Sequence, residues 1–232
     1  MDGTPNSAAC DGTTKALMLS FESLGERCDF GAVQRTFGVE PLGLLRFAFT
    51  RFDGLIAALE DRFAAVGTAE DTGFELYGDE NIVRMKKYGI IFHTFVNQRD
   101  LPSQEIQESF RRQQLRRLTF LRDKLIADLE HPQKIFIHAS EERASDADME
   151  QMFAALRAYG PNSLLYVRPH DSAHPLGSVE KLRDGLFAGY FAGHADFIRD
   201  EQPPFPMWHG MCDQVRRLSQ VASSKVLPGE YP

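Results

Sequence analysis

Four short apolar runs, at 16–21, 88–95, 134–138 and 163–168, are separated by stretches in which apolar residues recur every three or four positions. Short runs that are apolar throughout read as strands covered on both faces, and the intervening periodicity reads as helix. The segments 29–37 and 53–66 each stop at a glycine, Gly38 and Gly67, the residue favoured just beyond a helix C-terminus. The longest helical pattern runs over 104–130, where Ile106, Phe110, Leu118, Leu121, Leu125 and Leu129 make one face. A further helix over 146–159 ends at Gly160-Pro161. Strand and helix therefore alternate, which predicts an α/β fold in three layers, a mainly parallel sheet with helices on both faces.

The chain has 232 residues, of which 43% are hydrophobic, enough for a substantial core. Residues 1–14 and 223–232 lack periodicity and are expected to be flexible tails, leaving 15–222 as one domain. No apolar run reaches the roughly 20 residues of a membrane helix, and the first residues lack the basic and apolar parts of a secretory signal. Cys10, Cys28 and Cys212 lie far apart and odd in number, which fits free thiols in a reducing cytoplasm. A net charge of −7 argues against a nucleic-acid partner. The arginines at 111, 112, 116, 117 and 122 nevertheless make the long helix locally basic, a face read as solvated.

Open parallel sheets bind ligands beyond the carboxyl ends of their strands. The candidates there are Ser23, Gly25, Glu26, Arg27 and Cys28 after the first run, His93 after the second, His138 after the third, and Arg168 and His170 after the fourth. Cys28 stands where the glycine turn meets the next helix, and helix-start amides favour thiolate over thiol, so a lowered thiol pKa is expected. The alternative for Cys28 is a small hydrophobe packing that helix on the sheet. His93 would be its base, with Asn97 and Asp100 near enough to orient the imidazole. Arg27 and Arg168 are the guanidiniums best placed for a carboxylate or phosphate, and Gly25, Glu26, His138 and His170 complete the substrate-binding set.

Ser23-Leu24-Gly25-x-x-Cys28 followed by a helix, then His93-Thr94-Phe95, then an Arg-rich helix running into Lys134-Ile135-Phe136-Ile137, resembles a bacterial family of unknown function labelled papain-like cysteine peptidases. The likeness covers roughly residues 20–167 and implies Cys28 as nucleophile and His93 as general base. The family's usual Pro-Phe-Asp-Trp segment is replaced by Gly43-Leu44-Leu45-Arg46-Phe47-Ala48, as in a divergent branch whose relatives look like proteins of surface-polysaccharide assembly. The papain fold implied by that label conflicts with the alternating α/β pattern.

Two other chemistries compete. Ser23 with Asp171-Ser172-Ala173-His174 resembles the serine and Asp-x-x-His blocks of SGNH-type esterases, implying a Ser23, His174, Asp171 triad. Asp146-Ala147-Asp148 has the Asp-x-Asp form of sugar-nucleotide transferases, although aspartates are also favoured at a helix start. No metal site is expected, since Trp208-His209-Gly210-Met211-Cys212 offers one His-x-x-Cys pair with no second; Trp208 reads as an anchor for the last helix. Gly-x-Gly-x-x-Gly, Walker and Gly-x-Ser-x-Gly patterns are absent, so no cofactor is expected. The leading expectation is a cysteine-dependent acyl hydrolase or transferase acting on a small-molecule, glycan or peptide substrate. A sugar-nucleotide-binding domain, a non-catalytic assembly module and the serine esterase are the alternatives.

Overall fold

A computed structural model describes residues 12–26, 28–140, 142–143, 145–192 and 205–223. Cys10 and Arg27, two residues of interest in the sequence, lie outside this set. In chain order the elements are α1 (Gly12–Leu19), β1 (Phe21–Ser23), α2 (Asp29–Thr36), β2 (Ala48–Phe49), α3 (Phe52–Glu60), β3 (Thr72–Tyr77), β4 (Glu80–Met85), β5 (Ile90–Asn97), α4 (Gln104–Glu130), β6 (Ile135–Ala139), α5 (Asp146–Arg157), β7 (Ser163–Pro169), β8 (Val179–Arg183), β9 (Leu186–Phe191) and α6 (Phe205–Ser223).

The main sheet has the order β1-β6-β7-β9-β8, parallel throughout except for β8. Successive strand residues point to opposite faces. Phe136, Leu164, Tyr166, Leu186 and Ala188 therefore pack with α3, α4, α5 and the second sheet, while Ile137, Leu165, Val167 and Phe187 pack with α1, α2 and α6. The result is the expected α/β arrangement with helices on both faces. Trp208 of α6, fully buried, meets Phe30 of α2 at a ring separation of 5.7 Å, which is the anchoring role its position suggested.

The elements depart from the sequence reading in several places. The run at 16–21 supplies mostly helix, because Ala16, Leu17, Met18 and Leu19 are strong helix formers with no β-branch among them; only Phe21 enters β1. Residues 12–14 of the expected tail accordingly open α1, and Ser223 closes α6; the rest of both tails lies outside the described residues.

The larger correction concerns 88–95. These residues form part of β5, and β5 belongs not to the parallel sheet but to a separate antiparallel one of order β2-β5-β4-β3. Gly78 and Gly89, at φ of 57° and 67°, supply the left-handed backbone for two short reversals, and reversals this short can join only antiparallel neighbours. The first strand of the hairpin at 72–85, β3, is exposed along its outer half and so lacks a continuous apolar run.

Where α4 and α5 end, Asn162 ties them together. Its fully buried Nδ2 donates to Leu129 O at 2.8 Å and Leu156 O at 2.9 Å, satisfying last-turn carbonyls that have no partner within their helices. Beside them Glu22 of β1, Lys134, Lys124 and Asp128 form an ion cluster, with Lys134 Nζ 2.6 Å from Glu22 and 3.1 Å from Asp128.

Candidate functional site

The turn leaving β1 is tightly scripted. Ser23 is buried and its Oγ accepts from Gly25 N–H at 3.3 Å. Gly25 has φ of 81° with Thr50 already 3.2 Å from where a Cβ would stand. Glu26 N–H then donates to Thr50 Oγ1 at 2.7 Å. Cys28 becomes the N-cap of α2 without making a side-chain cap bond.

α2 lies directly on the chain entering β2. A Cβ on Gly31 would be 2.4 Å from Arg46 O and 2.9 Å from the Phe47 ring, so a glycine is required for that approach. One turn on, the Arg35 guanidinium sits 4.6 Å from the Phe47 ring centre and 5.8 Å from that of Phe95. Residues 28, 31 and 35 share one helix face by their spacing of three and four, and that face looks onto β2 and β5.

Opposite it, β5 carries a bulge. Ile82 pairs with His93 but Asn81 pairs with Val96, so Thr94 and Phe95 are extra residues on β5, and Phe95 takes a φ of 58°. Bulges of this kind re-aim side chains and recur next to active sites. Here the bulge brings His93 to Glu80 at the start of β4. His93 Nδ1 is 2.9 Å from Glu80 Oε2, and Phe95 N–H donates to Glu80 Oε1 at 2.8 Å. Burial acts to raise the Glu80 carboxyl, but the bonds from His93 and Phe95 outweigh it and hold Glu80 below its ordinary value. Both side chains are partly open, His93 at 30% and Glu80 at 20% exposure, so the pair is accessible from solvent.

The charge of Glu80 is also one of the causes acting on the Cys28 thiol. Burial first, then the charges of Asp29 and Glu80, push that thiol up to about 11 from an ordinary 9.0. The lowered thiol expected from the helix start is therefore corrected: desolvation and two carboxylates outweigh the amide dipoles. Sequence reasoning named Asn97 and Asp100 as possible orienting groups, but those two cap a 3-10 turn against each other. Glu80 does the orienting instead, and only the β4–β5 pairing could have revealed it.

A second constellation occupies the ends of β1 and β6. His138 is fully buried between Phe52 and Tyr166, with Nε2 3.0 Å from Glu26 Oε2, and Ser140 Oγ–H donates to Glu26 Oε1 at 3.0 Å. Glu26 and His138 thus meet as the strand-end reading expected, while Thr50, Ser140 and Arg143 were missed. Arg168 is engaged by Asp146 at 2.6 Å and Tyr190 Oη at 3.2 Å. His170 is exposed, and its backbone N–H donates to Phe191 O at 2.9 Å.

The serine triad is not assembled. Asp171 and His174 do meet, at 2.8 Å, but His174 stacks on Tyr190 of β9 at 4.3 Å. Two strands, β6 and β7, separate β9 from Ser23 on β1, and neighbouring strands are about 4.8 Å apart. The Asp-x-Asp pair is likewise taken up by the protein itself: Asp146 by Arg168, and Asp148 by Ser145 and Arg143. Among the described residues no group of three metal-ligating side chains converges, and no helix is long and apolar enough to cross a membrane.

What the fold and site define is an α/β protein with a carboxylate-backed histidine on β5 and a helix-start cysteine whose thiol feels the charge of that carboxylate. Comparison with protein-family models, with curated proteins and with solved structures finds no match.

Proposed function

We propose that the protein catalyses acyl transfer or acyl hydrolysis through Cys28, with His93 as general base and Glu80 as the residue that orients it. The supporting observation is the Glu80–His93 contact at the β5 bulge, whose carboxylate also acts on the Cys28 thiol. A carboxylate on Nδ1 selects the tautomer whose Nε2 lone pair is available as a base, and it stabilises the imidazolium that forms. With its pKa raised, Cys28 rests as a thiol. The thiol proton passes to His93 Nε2 as sulfur bonds to the acyl carbon, and His93 returns that proton to the leaving group. Water or a second acceptor then attacks the thioester, giving its proton to His93, which reprotonates the departing sulfur. Amides at the start of α2 would donate to the oxyanion. The resemblance to the cysteine-peptidase family agrees with these roles, and a reducing cytoplasm suits a free catalytic thiol.

The test is turnover of small aryl esters and acyl thioesters, with mass spectrometry of the intact chain for an acyl adduct. Cys28→Ala should abolish adduct and turnover, and His93→Ala and Glu80→Gln should each lower kcat, the former by about a hundredfold or more. Turnover that persists at the parent rate in Cys28→Ala, or an adduct on Cys212 instead, would overturn the proposal.

A further inference from the structure

The buried stripe of α4 contains one residue of the wrong chemistry. Phe110, Leu118, Leu121, Leu125 and Leu129 are apolar and buried, but the position between Phe110 and Leu118 on the same face is Gln114. Gln114 is only 8% exposed. Its amide makes no hydrogen bond among the described residues, yet neither its oxygen nor its nitrogen is sealed from solvent. A carboxamide taken this far from water is costly to keep unless something completes it.

Gln114 lines a cavity beside α4 together with His93, Arg117, Leu44, Phe47 and Leu121. His93 thus belongs both to the pair with Glu80 and to this cavity. Arg117 is exposed and makes no ion pair among the described residues, and no acidic side chain lines the cavity. Glu22, whose Oε1 lies 2.5 Å from where a Cβ on Gly43 would stand, is already matched by Lys134 at 2.6 Å and Lys124 at 3.7 Å. The enclosed space is about 30 Å³, close to the ~30 Å³ that one water takes up in the liquid and about a tenth of the smallest whole-ligand sites. It therefore admits one small group of a larger molecule.

We propose that this cavity is the subsite for a carboxylate on the substrate, held by the Arg117 guanidinium and the Gln114 Nε2–H beside His93. The inference rests on the acyl-transfer reading and narrows its substrates to acyl groups that themselves carry an acid, of which a dicarboxylic half-thioester is the simplest. A carboxylate takes two parallel bonds from the planar fork of arginine and keeps lone pairs for the amide. The apolar walls exclude water and so strengthen that pairing. An ammonium would be repelled by Arg117, and a hydrocarbon would leave Gln114 without a partner. A tetrahedral phosphate is bulkier than the space, whereas a flat carboxylate is the smallest anion that satisfies both donors.

The experiment separates the subsite from the chemistry. The full chain carrying Cys28→Ala, in which no acyl group can pass to that sulfur, is titrated with propionate, propionamide and ethylammonium while the side-chain signals of Gln114 and Arg117 are followed by NMR. Propionate should bind saturably, move both signals, and bind about tenfold more tightly than either other probe. Arg117→Gln should weaken it about tenfold; Arg117 is exposed, so its replacement leaves the fold intact. Gln114→Leu, which completes the apolar stripe, should weaken propionate without lowering the melting temperature, an outcome that a merely structural glutamine would not give. In the parent chain the succinyl thioester of N-acetylcysteamine should exceed the butyryl one in kcat/KM by about tenfold, a preference that Arg117→Gln removes. The proposal is overturned by absence of propionate binding at millimolar concentration, by propionamide binding as tightly, or by unchanged affinity in Arg117→Gln. Propionate binding in a chain that turns over neither thioester would sink acyl transfer and leave the carboxylate subsite standing; equal turnover of both thioesters without propionate binding would do the reverse.

Discussion

With the Cys28 thiol pushed up to about 11 from 9.0, only about one molecule in a thousand carries a thiolate near pH 8, against about one in ten for an ordinary thiol. Alkylation requires the thiolate, so iodoacetamide should modify Cys28 about a hundredfold more slowly than an unperturbed cysteine. Burial is the largest cause, with Asp29 and Glu80 following. Glu80→Gln should therefore move the inflection down without bringing it to 9.0, and Asp29→Asn combined with it should move it further. The assay is pulse alkylation between about pH 7 and pH 11, resolved by peptide mass spectrometry. Cys212, fully buried and with its thiol also raised by burial, reports unfolding: any pulse that labels it is discarded. An inflection for Cys28 at or below 9.0 in the folded protein, or no downward movement in Glu80→Gln, would refute the electrostatic account of this site.

Two further outcomes concern stability. Asn162→Ala strands the buried carbonyl of Leu129 and removes one of the two donors to Leu156 O, which keeps Tyr159 N–H at 3.2 Å, and should cost about 2 kcal/mol in urea denaturation; a loss below about 0.5 kcal/mol would show that the end of α4 finds another partner. At Asp128, burial acts to raise the carboxyl, but the bonds from Lys124 and Lys134 prevail and hold it below 3.8. A lowered folded-state value means that this stabilisation is present above 3.8 and is lost as pH falls through the folded value. Asp128→Asn should thus cost roughly 1 kcal/mol near neutrality and nothing once acid has protonated the parent; a gap between the urea midpoints that persists in strong acid would contradict this.

Much of the layered fold is legible in residue order. The helix over 104–130 appears with the expected ends, because its apolar stripe and Ser103 cap are local features. β6 and β7 appear where 134–138 and 163–168 placed them, since a strand covered on both faces must be apolar along its length. The run at 16–21 misleads because an apolar segment of that length is compatible with either period, and helix propensity decides it. The strand at 88–95 misleads differently: its strand character is right, but its pairing with β4 is set by the short reversal that precedes it.

The candidate site divides along the same line. Cys28, Glu26, His93 and His138 are recognisable from residue type and from position near turns and strand ends, because those properties reside in a few consecutive residues. Glu80 is not. Its place beside His93 comes from a two-residue bulge, and such a juxtaposition exists only after the strands have paired.

The direction of the Cys28 shift is the clearest case. A helix start is visible in the sequence and argues for a lowered thiol, whereas solvent exclusion and the Glu80 carboxylate arise from packing α2 against the antiparallel sheet. Residue order alone determined which groups could carry chemistry. Tertiary structure alone decided their electrostatic surroundings, because burial and the nearness of charges are properties of three-dimensional distance.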